Sequence, residues 1–431
     1  MTTDRPADSL ARNLRHLYAD VAWFGVLGGS AMAFVSVYAA RLGGSPLQIG
    51  LLTAGPAGLN LVLSLQAGRW LAGRSFPAVT FWSSVWHRAT YLILLLLPGL
   101  LPAMPQIWSM VALMLVAAAP ATLLVIAFNA TYAELVPPEL RARVTGRRNA
   151  LQAVTLTLSS LVSGQILRVA PFPLNFQVVF ALGVLGAAMS SYHLYRLRSP
   201  VRSAPAPGQA EDPTHPLMRP GSFRMPDAFR LAFGLRYFTR AEGRALLRPD
   251  LLRGQFGPIL LTFLIFYSVQ HLPIPLFPVF WVNDLGLSDA AISLGNAFFY
   301  AAMLLASLAV GPLRDRLGHR RLILLAASVY GVYPLLNGLA TGEVLFWLAS
   351  LGGGAVWGLL SVLLIDHLFD RIPADDRPAH MALHNMALNL GVLAGSLLGP
   401  VVAGWVGLRE ALLLAGVLRL ACAGLFLLGK D

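Results

Sequence analysis

Twelve runs of apolar residues alternate with short polar stretches along this chain, at roughly 18–40, 46–67, 77–100, 105–128, 147–168, 174–195, 257–282, 289–311, 320–340, 344–367, 380–404 and 408–428. A run of about 20 such residues, coiled as a helix, crosses the hydrocarbon core of a bilayer. In hydrocarbon each backbone N–H and C=O must be paired within its own segment, so every run is expected to be a helix. Runs 3, 5 and 12 carry an internal arginine or lie beside charges, and they fit least well.

The pattern repeats. Residues 42–68 and 285–311, superposed without a gap at an offset of 243, share ten identities in 27: Leu42/Leu285, Gly43/Gly286, Ser45/Ser288, Ile49/Ile292, Leu51/Leu294, Ala54/Ala297, Leu61/Leu304, Ser64/Ser307, Leu65/Leu308 and Gly68/Gly311. A second echo, at an offset of 236, pairs Glu134, Pro137, Glu139, Arg141 and Asn149 with Asp370, Pro373, Asp375, Arg377 and Asn385. The charged and proline matches carry the weight, because apolar bias inflates Leu and Ala identities. The expected fold is therefore all-α, with twelve transmembrane helices in two pseudo-symmetric six-helix bundles. These are residues 1–197 and 256–431, joined by a cytoplasmic loop at 198–255. Two related bundles in a membrane can rock about a site held between them.

Charge sets the orientation. Thirty-one of the 32 basic residues are Arg, and most lie in alternate loops: Arg5, Arg12 and Arg15; Arg69 and Arg74; Arg141, Arg143, Arg147 and Arg148; Arg314, Arg316, Arg320 and Arg321; Arg371 and Arg377. The opposite loops hold little beyond Arg41, Arg168 and Arg409. By the positive-inside rule both termini are cytoplasmic, in a multi-pass protein of the cell (inner) membrane. The net charge of +12 thus reflects topology, and no nucleic-acid partner is expected. With 56% hydrophobic and 12% charged residues, the chain has far fewer charges than a soluble protein, for which about 25% is usual. The first 20 residues are polar and the run after them is too long for a signal peptide. A single cysteine, Cys422, leaves no intrachain disulfide and no cysteine-rich metal site, and neither metal nor cofactor is expected. In the connector, residues 199–220 are Pro-rich and expected to be disordered, whereas Phe229–Leu252 reads equally as an amphipathic helix on the membrane or as a basic linker.

The loop between spans 8 and 9 reads Gly311-Pro-Leu-Arg-Asp-Arg-Leu-Gly-His-Arg-Arg321. It is similar to the Gly-x-Leu-x-Asp-Arg-x-Gly-x-Arg-Arg signature of the major facilitator superfamily, a resemblance that the twelve spans, two halves and long central loop extend over nearly the whole chain. Gly311 is expected to allow close helix packing and Gly318 a sharp turn. The resemblance implies a conformational latch between the bundles, made by Asp315, Arg316 and Arg320 or Arg321, which breaks in each cycle. The arginines also suit anionic headgroups of membrane lipid. Residues 68–74 hold no acid, so the first-half latch is weak or absent. The loop Glu134–Arg143 resembles the family's companion loop, with Glu134, Arg141 and Arg143 as local ion-pair partners. Span 5, Ser159–Gln165, lacks the proline of the family's drug/proton antiporters, which argues against that reading without removing it.

Polar groups are costly in hydrocarbon, so each one in a span calls for a partner or a wet cavity. The resemblance implies that spans 1, 2, 4, 5, 7, 8, 10 and 11 line the cavity. Span 7 carries Pro273, Pro275 and Pro278, which predict a broken helix just after Gln270 and His271. Candidate solute-binding residues are Tyr38, Gln270, His271, Asn296, Tyr300 and Asn385; candidate proton-coupling groups are Asp20, His271, Asp366 and His384. Arg88 and Arg419 fall on outer helices and are not expected in the solute site; His87-Arg88 reads either as snorkelling to the interface or as pairing with a neighbour. The function expected is secondary transport of a small organic solute by alternating access, as a monomer, leaning to efflux, either proton-coupled or by facilitated diffusion without coupling, with no catalytic residues. The rivals are a membrane-embedded transferase, for which Asp366-His367 with Asp370 is the one candidate cluster, and a receptor or sensor on a transporter scaffold.

Overall fold

The computed structural model describes residues 6–71, 74–198, 249–254, 256–372 and 377–427. Ten helical stretches among them are long and apolar enough to cross a membrane. Phe76–Leu100, with His87 and Arg88 in its interior, and Leu408–Ala423, extended by a 3₁₀ turn Gly424–Leu427, complete twelve crossings. These are two of the three runs that fitted the apolar pattern least.

Several helices outrun their apolar stretches. Span 1 begins at Pro6, span 4 is Ala103–Leu135 and span 5 is Pro138–Val169. The backbone ladder continues past the hydrocarbon, because a helix end with a packed face needs no apolar surround. The loop expected around Glu134–Arg143 thus shrinks to Val136 and Pro137. Arg141 donates to the carbonyls of Ala133 and Val136 at 2.6 and 2.7 Å, satisfying the open end of span 4. Glu134 is exposed on the last turn of span 4. Residues 199–248 and 373–376 lie outside the described residues, and with them the connector's Pro-rich stretch, most of its expected helix, and Pro373 and Asp375 of the second echo.

The packing repeats as the sequence does. Span 1 packs on spans 5 and 6, span 2 on span 4, and span 3 on spans 4 and 6. In the second half span 7 packs on spans 11 and 12, span 8 on span 10, and span 9 on spans 10 and 12. Gly43 and Gly286, equivalent in the repeat, both have positive φ, +84° and +59°, and turn the chain into spans 2 and 8. Ser45 and Ser288 follow them as matched caps, their hydroxyls accepting from the backbone amides of Gln48 and Ala291 at 3.3 and 3.1 Å.

The first helix of each half is irregular at the same register. Span 1 is Pro6–Leu27, a π-helical turn Gly28–Met32, then Ala33–Arg41. Span 7 is Phe256–His271, turns through 272–275, resumes at Leu276–Val279 and ends in a π turn, Phe280–Asp284. Adding the repeat offset of 243 to Gly28 gives His271. The prolines thus break span 7 where glycines loosen span 1.

Buried charge is held inside single bundles. Asp20 lies between Arg148 at 3.3 Å and Arg88 at 3.8 Å and accepts from Ser190, tying spans 1, 3, 5 and 6 together. In the second half Arg419 of span 12 donates to the carbonyl of Gln270 and stacks on Tyr330 at 4.4 Å. The outer surface is apolar, with Trp405 80%, Val116 68% and Leu305 68% exposed, as lipid contact requires.

Candidate functional site

The two bundles meet tightly in the half of the membrane away from the chain termini. Span 5 packs on span 8 and span 2 on span 11, a pair of contacts that the repeat exchanges. Small residues permit the approach. A Cβ on Gly50 would lie 2.4 Å from the carbonyl oxygen of Ser396, and one on Gly164 would lie 2.5 Å from the hydroxyl of Ser293. Ser160 and Ser293 each donate to the other's carbonyl across the interface, and Thr53 donates to Ser396 at 3.1 Å. At the rim Arg41 pairs with Asp289 at 2.9 Å and also donates to the carbonyl of Leu287. Together these contacts form a seal.

Helical register carries the same faces from the seal toward the termini. On span 8, Asn296 and Tyr300 stand three and seven residues beyond Ser293, on one stripe. On span 11, Asn389 and Asn385 stand seven and eleven residues before Ser396. On span 5, Asn149 stands eleven residues before Ser160 and is exposed. Asn296, Tyr300, Asn385 and Asn389 are half-buried, and Asn389 donates to the Asn385 carbonyl at 2.9 Å. Below a seal of Gly and Ser, the facing stripes therefore carry amides and a phenol.

His271 ends the first segment of span 7. Its Nδ1 lies 2.9 Å from the Tyr267 carbonyl and its backbone meets Gly395 of span 11, so the half-buried ring sits at the break. Gln270, next to it, is buried against span 12 rather than on these stripes. Tyr38 is fully buried as well. Its hydroxyl donates to Gln106 at 2.6 Å and its ring packs among Phe172, Phe176 and Phe180, a position within the first bundle.

The groups expected to couple protons separate in the same way. Asp20 is enclosed by two arginines, as described above. His384 is buried, 3.0 Å from the Tyr267 hydroxyl and edge-on to Phe263, while its neighbour Asn385, about 100° further round the helix, is half-buried. Asp366 pairs with Arg314 at 2.9 Å where spans 8 and 10 end on the side of the chain termini. The ion pair in that corner thus uses Arg314, whereas the sequence pointed to Asp315 with Arg316. Asp315, Arg316, Arg320 and Arg321 are exposed. Gly318 turns the loop with φ +78°, as expected, but a Cβ on Gly311 would meet nothing within 4 Å. The close packing expected at Gly311 is not made in this state, because the bundles meet at the opposite end.

Sequence reasoning missed the seal. Gly, Ser and Thr barely register in hydropathy, and the Arg41–Asp289 pair joins residues 248 positions apart. One signal was available: Arg41 is among the few arginines on the arginine-poor side.

Among the described residues, twelve helical crossings in two repeat-related bundles, closed against each other at one face, define a polytopic protein of the two-bundle membrane class. Residues 259–431 match the family model described as Major Facilitator Superfamily. The second half of the chain is thus similar to that family in sequence, and the whole chain resembles solved transporters in fold. Over 150 residues, 35% of this chain, it is 25% identical to "Multidrug resistance protein 2" of Bacillus subtilis (strain 168). That stretch spans 37% of the relative's length. In fold the chain is similar to a mutant of the nucleoside transporter NupG, with a TM-score of 0.70 and 12% identity, over 96% of this chain and 99% of that one. It is also similar to the xylose transporter XylE from E. coli in a partially occluded inward-open conformation, with a TM-score of 0.65 and 12% identity, over 98% and 99%.

Proposed function

We propose that the protein is a secondary transporter that carries a small organic solute across the cytoplasmic membrane by alternating access, without covalent chemistry. The observation that carries this reading is the seal. Two bundles, 1–197 and 256–431, touch through Gly and Ser on one side, and the same helix faces bear Asn296, Tyr300, Asn385 and Asn389 beyond it. Contacts of this kind, small residues with a few hydrogen bonds and one ion pair, suit an interface that opens and closes. With both termini in the cytoplasm, as the arginine distribution implies, the seal is extracellular and the state is inward-facing. The exposed Asp315 and Arg316 fit that state, in which the latch is released.

The stripes carry amides, a phenol and the His271 imidazole, and no carboxylate. This composition favours a neutral polar solute, recognised through hydrogen bonds, over an organic cation. The similar proteins include a nucleoside transporter, a xylose transporter and a multidrug resistance protein. Purified protein in proteoliposomes loaded with a nucleoside, a pentose or a lipophilic cation discriminates the two solute classes by counterflow. Saturable exchange of a neutral solute, lost in Asn385→Ala, is expected. Exchange of the cation alone would overturn the solute class, and exchange of none with intact protein would favour the receptor reading. The transferase reading needs Asp366 and His367 free to react. Asp366 is bound to Arg314, and the His367 Nδ1 lies 3.0 Å from Arg371.

His271 is the titratable group best placed for coupling. In vesicles with an imposed pH gradient, His271→Gln is expected to keep counterflow and lose uphill accumulation. Accumulation at the wild-type level in His271→Ala would remove it from the pathway. The sign of the gradient that drives accumulation also tests the expected direction, efflux.

A further inference from the structure

A groove runs down the lipid-facing surface between spans 3 and 4, with a volume of about 670 Å³. It begins at Arg74 and Ser75, where span 3 enters the membrane on the side of the termini, and reaches Thr90. Ser75 to Thr90 is fifteen residues, about 22 Å of helix at 1.5 Å per residue. That length covers the headgroup edge and half of a hydrocarbon core about 30 Å thick. The groove therefore lies along one leaflet, parallel to the lipid chains.

Its walls differ from ordinary lipid-facing surface. Trp82 and Trp86 stand one turn apart on span 3 and are 58% and 67% exposed. Tryptophan usually anchors at the headgroup level. Trp86, twelve residues past Arg74, is about 18 Å deeper along the helix and cannot serve as such an anchor. The opposite wall is Val116, Pro120 and Leu123 of span 4, and buried Ser83 lies on the floor. At the entrance the Arg74 side chain is exposed, and Ser75 caps span 3 without a side-chain hydrogen bond, so the first amides of that helix add to the positive end.

We propose that this groove is a binding site for an anionic glycerophospholipid from the leaflet on the side of the termini. Its phosphate and acidic headgroup meet Arg74 and the start of span 3, and one acyl chain lies between Trp82 and Trp86 and the Pro120 wall. An apolar channel with a cation only at its membrane-surface end matches an amphiphile with one charged end. A zwitterionic lipid fills the channel equally well but gains less at Arg74. The site is separate from the stripes between the bundles and does not depend on which solute moves there.

The full-length protein, reconstituted in bilayers containing phosphatidylglycerol or phosphatidylcholine brominated in the acyl chains, provides the test. Quenching of Trp82 and Trp86 is the difference between wild type and a W82F/W86F variant, both positions being exposed to lipid and tolerant of Phe. Brominated phosphatidylglycerol is expected to quench this component at about fivefold lower content than the phosphatidylcholine, the preference that one surface cation confers. Arg74→Gln should abolish the preference while leaving quenching by phosphatidylcholine unchanged. Equal quenching by the two lipids, or a preference that survives Arg74→Gln, would overturn the proposal.

Discussion

Asp20, inside span 1, and Asp289, at the start of span 8, are both acids, yet their surroundings assign them opposite work. Asp20 is 4% exposed between Arg88 and Arg148, and removing its charge leaves two guanidiniums in a poorly solvated site. Breaking a buried pair in this way costs about 3–5 kcal/mol. Asp20→Asn is therefore expected to lower the apparent Tm in detergent by many degrees, with a smaller loss in Arg88→Leu, which leaves Arg148 to pair. An Asp20→Asn protein of normal Tm that loses only coupling would make Asp20 a proton carrier. Asp289 shares a partly exposed pair with Arg41, and pairs of that kind are worth about 0.2–1 kcal/mol. Asp289→Asn should leave Tm almost unchanged but loosen the seal. A cysteine at Ser160, fully buried here, should then react faster with a reagent added from outside.

At the scale of helices, much was readable in the sequence and the reasons are local. Hydropathy acts residue by residue, so the spans stood out. Three prolines in six residues fixed the break after His271, since each removes a backbone donor. Replacing Pro273 and Pro275 by Ala should let span 7 continue as a helix. Solute flux is expected to fall by an order of magnitude or more while expression and Tm hold or rise; unchanged flux would make the break incidental. What was not legible is the direction each side chain takes within a span. His384 and Asn385 are neighbours in sequence, but one packs on Tyr267 and Phe263 and the other continues the stripe below Ser396. Only the packing of span 11 against spans 2 and 7 decides that. Tyr38 shows the same limit: an aromatic residue on a cavity-facing span reads identically whether it meets solute or three phenylalanines.

Over the whole molecule, the proposed transport cycle sets two closures in balance, one made by the Arg41–Asp289 rim with its Gly and Ser seal, the other, in the same proposal, by the Asp315 loop. The two ends therefore predict opposite signs. Asp315→Asn should favour the state seen here, Asp289→Asn the other, and the double variant should recover flux that each single variant loses. Gly50→Ala tests the seal by size alone, since its Cβ has no room against the Ser396 carbonyl. It should raise outside labelling at Ser160→Cys more than Asp289→Asn does.

The most direct measurement of alternating access is flux through a protein whose seal can be fastened at will. Cysteines replace Arg41 and Asp289 in a Cys422→Ser background, and a short reducible bis-methanethiosulfonate bridges them in proteoliposomes. The account predicts that flux stops in proportion to the fraction bridged and returns in full on reduction. Solute crossing at the unbridged rate through fully bridged protein would contradict it.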